Sequence, residues 1–203
     1  MFYGFARFIC RFFLLTVRRL EIRGAGNIPR QGGFLLVSNH RSYWDPIIIG
    51  CALPKSRRIY FMAKRELFKI PVLGWLIDML GAFPVKRGGA DRTAIRTALD
   101  HLSAGRVVGI FPEGTRSKNE DMLDPHRGAA MLSTKASVPV LPVAVIGFKG
   151  FLSKASIVFG PPIYLVKTGS KDRRVSREDL ETMSRTIMNE VAVLMAAKSG
   201  DIG

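Results

Sequence analysis

Six short apolar runs recur along this 203-residue chain, at 34–37, 59–62, 82–85, 107–111, 138–145 and 157–159. Runs of this length, bounded by glycine, proline and polar residues, suit strands buried within a sheet. Helical patterns fall between several of them. One covers 47–53, a second 93–102 with Asp91 as its cap, and a third 128–136. The last, over 177–197, puts Leu180, Met183, Ile187, Val191 and Leu194 on one face. Strands alternating with helices predict an α/β fold: a single domain with a mixed, largely parallel sheet flanked by helices. Pro139 and Pro142 disfavour a central strand at 138–145 and point to a sheet edge or a pocket wall. The segment 64–80 is apolar nearly all round, with Pro71 and Gly74 interrupting it. It reads either as a buried helix–turn–helix or as a greasy, basic-rimmed surface.

The first 23 residues form a separate unit, and 24–33 is a Gly- and Pro-containing connector to a main domain over 24–203. At ~100° per residue, Arg7, Arg11 and Arg18 share one stripe of a helix. Phe2, Phe5, Ile9, Phe12, Phe13 and Leu20 lie on the other side. The unbroken apolar stretch is far short of the ~20 residues that cross a bilayer. An amphipathic helix lying in a membrane interface fits, and so does one packed on the protein's own core. Six arginines against one glutamate before Gln31 favour the membrane.

Charge supports that direction. The chain carries 31 Lys+Arg and 16 Asp+Glu, a formal net charge of +15. Polyanions are the expected partners, and the aromatic residues are not interleaved with the cations as a nucleic-acid stacking platform needs. Nucleic acid is therefore not expected, which leaves an anionic membrane surface, expected on the cytoplasmic face, and a phosphorylated substrate. Cys10 and Cys51 are too few for a disulfide framework, which suits a reducing compartment.

Asn39-His40-Arg41-Ser42-Tyr43-Trp44-Asp45 directly follows the run at 34–37, so it belongs at a sheet rim, where binding and catalytic groups collect. Histidine takes a proton near neutral pH, and a carboxylate fixes its tautomer and stabilises the imidazolium. The pair amounts to a catalytic triad without its serine, so a substrate would supply the nucleophile. In one continuous helix, five residues span ~500° and would hold the two side chains apart. A turn between His40 and Asp45 is required. Asp45 also precedes Pro46, which offers it a duller role as a helix N-cap.

Phe111-Pro112-Glu113-Gly114-Thr115-Arg116-Ser117 follows another strand, and its glycine and hydrogen-bond donors suit an anion as well as an ordinary turn. Gly81-Ala82-Phe83-Pro84-Val85-Lys86-Arg87-Gly88 reads as a short strand ending in two cations, either solvated or set against a phosphate. His101 and His126 read as structural or surface residues. No Gly-x-Ser-x-Gly elbow, zinc-spaced cluster or Gly-x-Gly-x-x-Gly turn appears, so neither a serine hydrolase nor a metal or nucleotide cofactor is implied.

The order and spacing of these blocks resemble the 1-acylglycerol-3-phosphate acyltransferases of the glycerolipid acyltransferase superfamily. His40–Asp45, Phe83–Arg87, Phe111–Ser117 and Val138–Pro142 match that family's blocks in sequence, and Arg127-Gly128-Ala129-Ala130 adds to the likeness. The resemblance runs from about Gly26 to Gly160. It implies that His40 is the general base and that Asp45 orients it. It implies that Arg87 and Arg116, with Lys86 beside them, hold the acceptor phosphate. Glu113, Gly114 and Thr115 would shape the acceptor site, and Pro139 would border the acyl-donor side. Lys86 stands where many relatives have an acidic or polar residue, and the helix after Gly160 lies outside the resemblance.

The implied reaction is acyl transfer from a thioester of coenzyme A or acyl carrier protein, as co-substrate, to the free hydroxyl of 1-acylglycerol-3-phosphate. No acyl-enzyme and no bound cofactor take part. Two other readings remain open on the sequence: an acyltransferase for another lysolipid or glycerol-3-phosphate, and a non-enzymatic basic membrane-binding protein.

Overall fold

The computed structural model describes residues 2–86, 89, 91–115, 126–147, 154–165 and 175–199. Among these residues seven strands form one sheet: β1 (Glu21–Arg23), β2 (Phe34–Ser38), β3 (Ile59–Lys64), β4 (Phe83–Val85), β5 (Val107–Ile110), β6 (Val140–Ile146) and β7 (Ser156–Phe159). Their spatial order is β1-β7-β6-β2-β5-β3-β4. All pairings are parallel except β6 with β7, so the expected mixed, largely parallel sheet is present.

Among the described residues six α-helices accompany it: α1 (Phe2–Thr16), α2 (Asp45–Ala52), α3 (Leu73–Met79), α4 (Arg92–Ser103), α5 (Gly128–Ala136) and α6 (Arg177–Ser199). The strand period of two divides the core between the faces. Phe34 and Leu36 join Leu14, Ile48, Ile49 and Val143 under α1 and α2. Leu35 and Val37 join Ala98, Leu102, Ala129, Leu132, Ile187 and Val191 under α4, α5 and α6. All five residues of β2 are buried, which makes it the spine of the molecule. The C-terminal helix, open in role from sequence, packs Met183, Ile187, Met188 and Val191 into this second layer. Asp91 caps α4 as expected, accepting the Ala94 amide at 3.1 Å.

Two expectations change and one open alternative is decided. The helix predicted across 1–23 ends at Thr16, and 21–23 form an edge strand beside β7. The strand containing Pro142 is interior, not an edge. Its carbonyl accepts the Gly160 amide at 2.9 Å, so the missing N–H faces the end of β7 and costs the β2 ladder no bond. The apolar segment at 64–80 is surface: Ile70, Val72, Leu73, Trp75 and Met79 are exposed.

Helix α1 is turned so that its basic stripe meets the protein. Arg7 donates to the carbonyls of Gly50, Cys51 and Leu53, and Arg11 to that of Cys51, at the C-terminal end of α2. Those carbonyls lack helical partners and carry the negative end of the helix dipole, so guanidinium groups stabilise them. Phe5, Phe8, Ile9 and Phe12 are left facing outward. The Phe2 ring reaches Trp75 of α3 at 5.4 Å, joining the two exposed apolar faces. No helix among the described residues is long and apolar enough to cross a membrane.

Candidate active site

The carboxyl ends of β2, β5, β3 and β4 share one rim. His40 leaves β2 there, Glu113 leaves β5, and Lys86 leaves β4. The loop between β2 and α2 makes the turn that the histidine–aspartate spacing demands. His40 Nδ1 lies 3.0 Å from Asp45 Oδ2. That oxygen also accepts the Arg41 amide at 2.7 Å and the Ser42 amide at 2.8 Å. An oxygen already accepting two N–H groups makes Nδ1 the donor, leaving the Nε2 lone pair available. Asp45 therefore grips its own preceding loop. It does not cap α2, whose first residue it is.

Exposure separates the roles. The Asp45 side chain is 2% exposed and that of His40 16%. The carboxylate is shielded from water, while the imidazole opens onto the rim. Its ring stacks on Phe111 at 4.1 Å, and Phe111 lies parallel to Phe61 at 5.6 Å. Gly109 makes room for this column, since a Cβ there would come within 2.4 Å of the Phe61 ring. From the other side Glu113, 4% exposed, accepts the His40 amide at 3.1 Å. Asn39, 1% exposed, pairs both its amide atoms with the Val145 backbone at 2.9 Å, extending the β2–β6 ladder past its last residue. The histidine backbone is thus held by two neighbouring strands.

No side-chain hydroxyl or thiol bonds the imidazole among the described residues; the Ser42 Oγ accepts the Trp44 amide at 3.2 Å. Among the described residues the imidazole has a carboxylate partner and no bonded nucleophile. The Acyltransferase family matches residues 19–146.

The chain belongs to that family. It is 32% identical to a 1-acyl-sn-glycerol-3-phosphate acyltransferase of Streptococcus pneumoniae, over 94% of this chain and 72% of the relative. It is 35% identical to a lyso-ornithine lipid O-acyltransferase of Pseudomonas aeruginosa, over 62% of this chain and 47% of that one. Among solved structures, the 1-acyl-sn-glycerophosphate acyltransferase of Thermotoga maritima superposes with a TM-score of 0.62. It shares 26% identity and covers 93% of this chain and 86% of its own.

In this acyltransferase, the structure brings His40, Asp45 and Glu113 together. Gly114 turns with φ +66, and its amide donates to the Phe111 carbonyl at 3.0 Å. Thr115 is exposed beside it. Lys86 reaches the same rim two strands beyond β5, roughly 10 Å away at ~4.8 Å per strand. Its amide donates to Asp91 Oδ2 at 2.8 Å. Arg87 and Arg116 lie outside the described residues. Pro139 is not brought to the site. Its carbonyl accepts the Leu35 amide at 3.0 Å, at the opposite end of β6 and roughly 20 Å from His40 at ~3.3 Å per residue.

Phe61 supports the histidine without any signal in the sequence, and Phe111 and Asn39 stand in the sequence only as the first members of their motifs, with no role of their own. His126, read as structural or surface, is exposed and sets its ring against Gly114.

Proposed function

We propose that this acyltransferase moves a fatty acyl group from an acyl thioester to the free hydroxyl of 1-acylglycerol-3-phosphate, giving phosphatidic acid for phospholipid synthesis. The observation that carries this reading is the His40–Asp45 contact at a rim where, among the described residues, no hydroxyl or thiol bonds the imidazole. The acceptor hydroxyl gives its proton to Nε2 as its oxygen attacks the thioester carbonyl. The carbon–sulfur bond then breaks, and the imidazolium returns the proton to the leaving thiolate. General-base assistance of this kind contributes roughly 10²–10⁴-fold. Asp45 stabilises the imidazolium in between. Glu113 and Gly114 shape the acceptor pocket, with Thr115 beside them. Arg87 and Arg116, next in sequence to Lys86 and Thr115, hold the acceptor phosphate.

The thioester is carried by coenzyme A or acyl carrier protein and serves as a co-substrate. A donor bordered by Pro139 would have to extend along the sheet by the length of β6. The reaction takes place at a membrane, with the outward phenylalanines of α1 in the interface and the surplus positive charge favouring anionic lipid on its cytoplasmic side. A second reading, transfer to a different lysolipid, is favoured by the likeness to the lyso-ornithine lipid enzyme.

The test is acyl transfer by purified protein in lipid vesicles, wild type beside His40→Ala, across a panel of lysolipid acceptors. Lysophosphatidic acid is expected to be the preferred acceptor, with turnover falling ~10²-fold or more in the variant while vesicle binding persists. Transfer only to another acceptor overturns the substrate; unchanged turnover in the variant overturns the base.

A further inference from the structure

Three arginines meet at the other rim of the sheet, where β3 and β5 begin. Arg57, Arg58 and Arg106, together with Ser56, Gly105 and Val107, line an open pocket of about 110 Å³. From Arg106 to Glu113 the chain advances roughly 20 Å at ~3.3 Å per residue, so this pocket is remote from His40.

Every partner of these cations is neutral. Arg57 is 9% exposed and donates to the carbonyls of Gly32 and Gly105, with its guanidinium 5.1 Å above the Phe34 ring. Arg58 donates to the Met79 carbonyl at 3.0 Å and lies over Tyr3 at 4.5 Å and Tyr60 at 5.2 Å. Arg106 donates to His101 Nδ1 at 3.1 Å and approaches the same Tyr60 ring at 5.6 Å. Among the described residues none of the three meets a carboxylate. The Nε atoms of Arg57 and Arg58 are buried without a hydrogen-bond acceptor among the described residues.

Arg57 is buried, Arg58 half-buried and Arg106 exposed; like charges gathered this closely repel one another, the inner one also loses hydration, and carbonyls and rings offset only part of that cost. Burial accordingly pulls the Arg57 guanidinium below its ordinary pKa. An oxyanion is the missing component, and planar guanidinium forks are matched to phosphate. The pocket also adjoins the apolar surface. Tyr3, beneath Arg58, belongs to α1, and Met79, which Arg58 binds, ends α3. These are the two helices joined by Phe2 and Trp75.

We propose that this pocket is a second anion site, separate from the acceptor site, that takes a phosphate group. The phosphate comes from an anionic lipid headgroup or from solution. The lipid source rests on the membrane reading above; phosphate binding itself does not.

The test compares three full-length proteins: wild type, R58Q/R106Q, and the charge-matched R92Q/R96Q, whose arginines are exposed on α4. Melting temperature is measured in inorganic phosphate and in chloride of equal ionic strength. Stabilisation through the acceptor site is common to all three, so the difference between variants reports the pocket. R58Q/R106Q is expected to lose part of the phosphate-dependent rise that wild type and R92Q/R96Q retain. Flotation with phosphatidylcholine vesicles, with and without phosphatidylglycerol, then assigns the source. A loss of roughly tenfold in anionic-vesicle affinity, beyond that of R92Q/R96Q, assigns a lipid headgroup. Equal vesicle binding with the phosphate difference intact assigns free phosphate. Identical phosphate stabilisation in all three proteins overturns the site, whatever the vesicles do. Arg106→Gln alone, at an exposed side chain, repeats both measurements should the double variant fold poorly.

Discussion

The Arg7 guanidinium donates from Nε to the Gly50 carbonyl at 3.0 Å, which fixes the N-terminal helix with its cations inward and its phenylalanines outward. The helix therefore carries an apolar face that the fold does not cover. Nearer its other end the Phe13 ring stacks on Trp44 at 6.0 Å, one residue before Asp45. One short helix thus touches both ends of α2.

Replacing Phe8 and Phe12 by serine is expected to weaken vesicle binding by about tenfold per residue, since each ring leaves ~1.5–3 kcal/mol of burial unrealised. Both rings are more than 60% exposed, at 67% and 64%, so the melting temperature should hold or rise slightly. Flotation beside thermal melting checks this, and an unchanged affinity would remove the face from the interface.

Asp45→Asn keeps the shape of the side chain but presents an amide where the carboxylate accepts His40 Nδ1. Its amide oxygen would keep the Arg41 and Ser42 amides and still accept the Nδ1 hydrogen, but the negative charge that stabilises the imidazolium is lost. Turnover should fall roughly 10²–10⁴-fold with little change in KM. Steady-state kinetics decide the matter; an intact kcat would mean that the carboxylate serves only the loop.

Gly109→Ala tests the stack beneath the histidine. The new methyl would lie 2.4 Å from the Phe61 ring and 2.9 Å from Ile59 Cδ1. Overpacking of this sort costs ~1–3 kcal/mol, and the displaced ring would shift Phe111 under His40. A lower melting temperature together with reduced turnover well below it is expected. Full activity would show that the column does not set the imidazole.

Asp91 accepts the amides of Lys86 and Ala94, and these two bonds lower its pKa. A depressed folded-state pKa means stability that is present above the ordinary aspartate range and lost as pH falls through it. Asp91→Ala should lower the melting temperature at neutral pH, and the gap from wild type should close on acidification. Melting curves from neutral to acidic pH measure this gap; a constant gap would deny the carboxylate its role as a cap.

Much of the fold is legible in the apolar runs because parallel strands buried on both faces carry continuous hydrophobic signatures. Residues 21–23 are not: Glu-Ile-Arg is three residues long and two-thirds charged, and only its pairing with β7 makes it a strand. Pro142 misleads because proline excludes one hydrogen bond on one side, and which side depends on the neighbour. The wheel of α1 shows two stripes but not which one meets the body; the free carbonyls ending α2 decide that. His40, Asp45 and Glu113 are readable as chemistry at strand ends. The Phe61–Phe111 column is not, because stacking is a relation between strands distant in sequence.

The Asp45 oxygen that faces the imidazole is anchored just as firmly by the Arg41 and Ser42 amides, so the loop's shape does not depend on the ring. A protein lacking only the His40 imidazole should keep its pocket and load both substrates without consuming them. Such a silent variant is the natural bait for capturing the lipid and its thioester side by side in a crystal.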